Sequence, residues 1–153
     1  VDAAVLADEL VMLEGGRVVQ TGTFADIAAQ PRSRYVADLF GVNLLRGDAR
    51  GDHVALDGAE LAAADAGHGD SFVVIHPHSV ALHTSRPSGS PRNVWPGRVD
   101  SIESLGSRVR VRIQGPVPLV AEVTPAAISE LGVVQGSEVW ASVKATDVNV
   151  FAV

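Results

Sequence analysis

Three features predict a mainly β chain. Short apolar segments recur at roughly 8–12-residue spacing, Gly- and Pro-rich turns separate them, and a single well-marked helix lies among the last of them. The arrangement fits an OB-fold-like small β-barrel, closed or partly closed, with one short helix, preceded by a β-hairpin and two short helices. At 153 residues, 46 % apolar and 20 % charged, the chain can bury one such core and carry a small appendage.

Taken in order, "ELVMLEGGRVVQTG" reads as two short strands around Gly15-Gly16, a hairpin turn pair. Thr23 precedes "FADIAAQ" with Asp26 three residues on, which predicts an N-capped helix. Pro31 interrupts it, and "RSRYVADLF" predicts a second short helix stopped by Gly41. These pieces are too small to bury much alone and look like the tail of something larger. From Val42 the texture changes to strands with Asp-Gly and Gly-rich turns, "HVALDG" and "SFVVIHPHSVALH" being strand candidates. "TSRPSGSPRN" is a loop dense in Pro, Ser and Gly. Strands follow at "VWPGRVDSIESLG", "SRVRVRIQG" and "PLVAEVT". Then comes the helix "PAAISELG", with Thr124 as N-cap, Pro125 at its first position and Gly132 closing it. The last strand is "EVWASVKATDVNVF", where Val139, Ala141, Val143 and Ala145 alternate with Trp140, Ser142, Lys144 and Thr146. No clean repeat is visible, although residues 42–83 and 84–153 each have the content of a barrel-like half.

Composition excludes several function classes. With no cysteine there is neither a disulfide nor a thiolate metal site. No run of about 18 apolar residues marks a membrane span, and the first residues carry acids and no base, unlike a signal peptide. The missing initiator methionine and abrupt start suggest a piece of a longer chain. Net charge is −6 and unevenly spread. Residues 1–43 hold six acids and three bases, 44–83 six and two, and 84–153 six and seven. General nucleic-acid affinity, which needs a basic stripe, is not expected. A local anion site in the last third is allowed.

No Gly-Lys-Ser/Thr phosphate cradle exists, because the only lysine stands between Val143 and Ala145. No serine is spaced as a nucleophile elbow. His76 and His78 could share a strand face and hold Zn²⁺, but Pro77 favours a turn and no carboxylate lies near in sequence, so surface histidines are the expectation. Arg108, Arg110 and Arg112 lie opposite Val109, Val111 and Ile113, a pattern expected of a solvated face whose stems cover the sheet, with an anion stripe as the alternative. A third group is donor-rich: Ser90, Arg92 and Asn93 before a strand, Thr124 at a helix start, and Lys144 with Thr146. Tetrahedral oxyanions only accept hydrogen bonds, so a shell of donors suits one. From composition and spacing alone, three unrelated polar features are the favoured reading.

Residues 90–151 resemble the molybdate-binding Mop, or TOBE-type, domain. The family's Ser-Ala-Arg-Asn is matched by "SPRN", its Thr and Glu-Leu-Gly helix by "TPAAISELG", and its Lys-Ala-Ser/Thr strand by "KAT", with Pro91 a departure from Ala. "LADELVMLEGGRVVQTGTFADIAAQP" resembles the end of an ABC-transporter ATP-binding domain. The pair implies the C-terminal regulatory region of the ATP-binding subunit of a molybdate importer: residues 1–41 as the ATPase tail, 42–153 as the regulatory domain, and 85–153 as its oxyanion-binding part.

The resemblance further implies that Ser90, Arg92, Asn93, Thr124, Lys144, Ala145 and Thr146 line a molybdate or tungstate site between paired domains. Arg92 and Lys144 would neutralise the dianion, the hydroxyls would donate, and Ala145 would offer its backbone N–H. Expected partners are a second copy and membrane-embedded permease subunits, at the cytoplasmic face of the plasma membrane. No catalytic residue, metal ion or cofactor is expected here, since ATP and Mg²⁺ belong to upstream motifs this sequence does not contain. The alternative is a ligand-free dimerisation module of a sugar or other solute importer.

Overall fold

A computed structural model describes residues 8–89 and 93–153. The N-terminal hairpin pairs β1 (Leu10–Glu14) with β2 (Arg17–Gly22) across Gly15 and Gly16, whose φ values of +57° and +77° are those a tight two-residue turn demands. Helix α1 (Phe24–Ala29) is capped by the Thr23 hydroxyl, which accepts from the Asp26 N–H at 3.1 Å. Helix α2 (Arg34–Phe40) starts on Ser33 and ends at Gly41 in the left-handed region. The hairpin leaves Val11, Leu13 and Val18 more than half exposed, so it has no core of its own.

The remaining chain builds two sheets around one apolar cluster. Strands β3 (Asn43–Leu56) and β4 (Ala59–Ile75) form a long hairpin, and β10 (Val148–Ala152) lies on the other side of β4. The second sheet runs β5 (Ala81–His83), β9 (Glu138–Val143), β6 (Asn93–Leu105), β7 (Arg108–Gln114), β8 (Leu119–Val123). Helix α3 (Pro125–Leu131) follows β8, with Thr124 as its cap. Leu61, Val73 and Ile75 from the first sheet and Val111, Ile113 and Val143 from the second are all at most 2 % exposed and share one cluster. Among the described residues no helix is long and apolar enough to cross a membrane.

Strand exchange links the halves. β5 follows the first hairpin yet pairs with β9, and β10 follows β9 yet pairs with β4. The registers match: Asn43 pairs with Ile75, and Asn93 with Val143. Immediately after each partner comes a 3₁₀ turn, Pro77–Ser79 and Ala145–Asp147. Residues 42–83 and 84–153 are therefore related by an internal pseudo-twofold, a repeat that the sequence hides. Residues 85–153 lend their last strand to the other half.

The predicted strand 138–151 is corrected here. It breaks after Val143, where the chain must cross between sheets, so Lys144 starts a turn instead of sitting mid-strand. Ser142, expected on the polar face, is 4 % exposed and hydrogen-bonded to His83 Nε2 at 2.8 Å. The N-terminal segment docks on β10: Asn149 Nδ2 donates to the Ala29 carbonyl at 3.0 Å, and Arg32 Nη1 to the Ala152 carbonyl at 3.1 Å.

Candidate functional site

Lys144 leaves the end of β9 exposed, and its ammonium forms no ion pair or hydrogen bond with a described residue. Its carbonyl accepts from the Asp147 N–H at 2.9 Å, closing the turn that carries half-buried Ala145 and exposed Thr146. The ladder partner of Val143 is Asn93, so β6 begins beside this turn. Ser90 and Arg92, both expected to line the site, lie outside the described residues.

Asn93 has another task. It is 2 % exposed; its Nδ2 donates to the Ala62 carbonyl at 2.9 Å and its Oδ1 accepts from the Ala62 N–H at 2.7 Å. An amide held on both sides inside the barrel is a strut, which corrects the expectation of a free donor. Asn43 makes the same pair of bonds to Val120, at 2.9 and 2.8 Å. Both struts went unrecognised in the sequence, although each opens an Asn-x-x-x-Gly stretch, at 43–47 and 93–97.

Thr124 is exposed, and its Oγ1 accepts from the Ala127 N–H at 3.1 Å, which leaves the hydroxyl proton free to donate. Its strand, β8, packs on the turn Pro77–Ser79, whereas the turn after Lys144 packs on β4. Within one chain, then, the two expected donors stand against different partners.

The remaining candidates resolve simply. His76 and His78 are exposed and stacked, ring centroids 5.4 Å apart, at a turn as Pro77 predicts. No cluster of three metal-ligating side chains exists among the described residues. Arg108, Arg110 and Arg112 do alternate with buried Val109, Val111 and Ile113. Arg108 pairs with Glu122 at 2.8 Å, and Arg110 donates to the Gly41 carbonyl at 3.3 Å. Arg110 and Arg112 line a cleft of about 610 Å³ together with Arg34, Asp38 and Glu103, so the stripe is mixed in charge.

Residues 89–150 match the TOBE domain family. Across 96 % of its length the chain is 35 % identical to the molybdenum import ATP-binding protein ModC of Mycobacterium tuberculosis, covering 42 % of that protein. It is 32 % identical over 98 % of its length to the molybdate/tungstate import ATP-binding protein WtpC of Pyrococcus horikoshii, covering 44 % of it. The chain therefore spans less than half of these relatives. Its fold superposes on the cytoplasmic molybdate-binding protein ModG, in a crystal form with molybdate bound, with a TM-score of 0.63 and 25 % identity. That match covers 72 % of this chain and 96 % of ModG.

Proposed function

We propose that the chain is the regulatory region of the ATP-binding subunit of a molybdate importer, and that its second half senses molybdate or tungstate. The observation that carries the reading is Lys144: the one lysine of the sequence, exposed and unpaired among the described residues, set at a strand end with Thr146 one residue beyond Ala145. Arg92 and Lys144 would match the two charges of the anion. Ser90, Thr124 and Thr146 would donate hydroxyl hydrogen bonds, and Ala145 its N–H. Asn93 would hold the strand that follows Arg92. Three or four charge-assisted bonds of about 1.5–3 kcal/mol each reach the roughly 8 kcal/mol of micromolar binding.

The split between Lys144 and Thr124 supports a cage completed by a second copy. Each copy would offer its Lys144 turn to the Thr124 of the other, which makes a homodimer the functional unit. Residues 1–41 would be the end of the ATP-binding domain, 42–153 the regulatory domain, and permease subunits at the cytoplasmic face of the membrane the further partners. The parent chain would then be a transport ATPase whose nucleotide motifs lie upstream.

Isothermal titration tests the reading. Molybdate or tungstate should bind with micromolar or tighter affinity, sulfate distinctly more weakly, and Lys144→Ala with Arg92→Ala should abolish the heat. Silence with both metal oxyanions would point instead to a ligand-free dimerisation module.

A further inference from the structure

Two residues apart in β7, Arg110 and Arg112 share one face of their sheet, and the ladders treat them differently. Arg110 stands opposite Glu103 in β6 and Glu122 in β8. Arg112 stands opposite Ser101 and Val120, with no carboxylate across either ladder. Helix α2 adds Arg34 and Asp38, four residues apart on one helix face, to the same cleft of about 610 Å³. Three guanidinium groups and two carboxylates therefore line it.

These charges do not satisfy one another. The side chains of Arg34, Asp38, Glu103 and Arg112 form no hydrogen bond or ion pair with a described residue. Arg110 is poorly matched as well. Its one hydrogen bond, from Nη2 to the Gly41 carbonyl, is 3.3 Å long, and its buried Nε has no partner, the nearer Glu122 oxygen lying 3.9 Å away. A guanidinium carries five N–H donors, and withdrawing it from water is costly unless they are met.

We propose that this cleft binds a phosphorylated sugar, with the phosphate on the arginines and the hydroxyls on the carboxylates. The proposal is independent of the Lys144 reading, since Thr124, Lys144 and Thr146 do not line the cleft. Guanidinium forks engage phosphate oxygens two at a time, and Arg34 and Arg112 have theirs unengaged. Asp38 and Glu103 oppose a bare anion, because a carboxylate only accepts hydrogen bonds. They suit a ligand that brings hydroxyl donors next to its phosphate. Among the described residues no aromatic ring lines the cleft, so a nucleobase would find nothing to stack on, which favours a sugar phosphate over a nucleotide. The volume falls within the roughly 300–1,000 Å³ of small-molecule sites. Arg34 belongs to the N-terminal segment and Arg112 to the second sheet, so a phosphate engaging both ties the two together.

Isothermal titration of the full chain with ribose 5-phosphate and glucose 6-phosphate tests this. At least one should bind at one per chain, with inorganic phosphate and the unphosphorylated sugar each about tenfold weaker or more. Arg34→Ala and Arg112→Ala remove exposed side chains that bond to no described residue, so the fold should be unaffected. Each should weaken the sugar phosphate about tenfold to a hundredfold and leave molybdate titration unchanged. Lys144→Ala should leave the sugar phosphate unchanged, which separates failure of this proposal from failure of the oxyanion reading. Silence with both sugar phosphates would overturn the proposal, as would binding that survives Arg34→Ala with Arg112→Ala. Inorganic phosphate binding as tightly would reduce the cleft to a simple anion site, and AMP binding more tightly than ribose 5-phosphate would overturn the sugar assignment.

Discussion

Asn43 and Asn93 perform one task twice: each buried amide reaches across the pseudo-twofold and closes two hydrogen bonds on a backbone unit of the other half, Val120 for Asn43 and Ala62 for Asn93. Because the bonds cross between halves, they fix how the two sheets meet as well as where each strand begins.

Removing either amide strands a backbone donor and acceptor away from water. Asn43→Ala and Asn93→Ala should each lower stability by about 2–4 kcal/mol, read from urea denaturation midpoints. Only Asn93→Ala, which frees the strand next to Arg92, should also weaken molybdate binding, by roughly tenfold or more (about 1.4 kcal/mol). Unchanged midpoints would show that the struts are not needed.

Gly47 and Gly97 stand four residues after the two asparagines, at matching places in β3 and β6. A Cβ on Gly47 would meet the Ala55 carbonyl oxygen at 2.5 Å, and one on Gly97 would meet Ile113 Cγ2 and the Gln114 carbonyl. Neither glycine has a left-handed φ, so the requirement is space alone. Gly47→Ala and Gly97→Ala should destabilise by about 1–3 kcal/mol, the usual range for overpacking. Thermal unfolding midpoints within a degree of the parent would contradict this.

Far from the proposed site, Arg46 hydrogen-bonds both carboxylate oxygens of Asp70, at 2.5 and 3.0 Å. That hydrogen bond, working against desolvation and helped least by the charge attraction, holds the Asp70 carboxyl below its ordinary range. With the folded value below the unfolded one, the stabilisation is complete above about pH 4 and is lost as pH falls through the depressed value. Both side chains are more than half exposed, so the effect should be small and weakened by salt. Urea midpoints between about pH 2 and 5 at low salt should fall less steeply for Arg46→Ala than for the parent. Identical acid limbs would contradict the pairing.

The strands that alternate cleanly were legible in the sequence. Val109, Val111 and Ile113 point inward as their spacing predicts, and Thr23, Thr124, Gly41 and Gly132 cap helices as their chemistry predicts. The first part of β4, "AELAAADAGHGD", was not, because Ala, Gly and Asp are poor strand formers and only pairing with β3 holds them extended. Strand exchange was hidden for another reason: a period of two fixes which face a residue takes, not which strand it pairs with. Lys144 was misplaced mid-strand because Ala145 and Thr146 continue the alternation through a turn that only the crossing between sheets requires.

The most direct test of the shared site mixes two defective copies. Thr124→Ala removes a helix cap worth about 1 kcal/mol, which leaves the fold intact, and neither it nor Lys144→Ala should bind molybdate well alone. If Lys144 of one copy works with Thr124 of the other, co-refolded heterodimers of the two variants contain one intact site and one doubly defective site. Titration should then recover tight binding at one anion per heterodimer. Mixtures that bind no better than either variant alone would contradict a cage shared between copies.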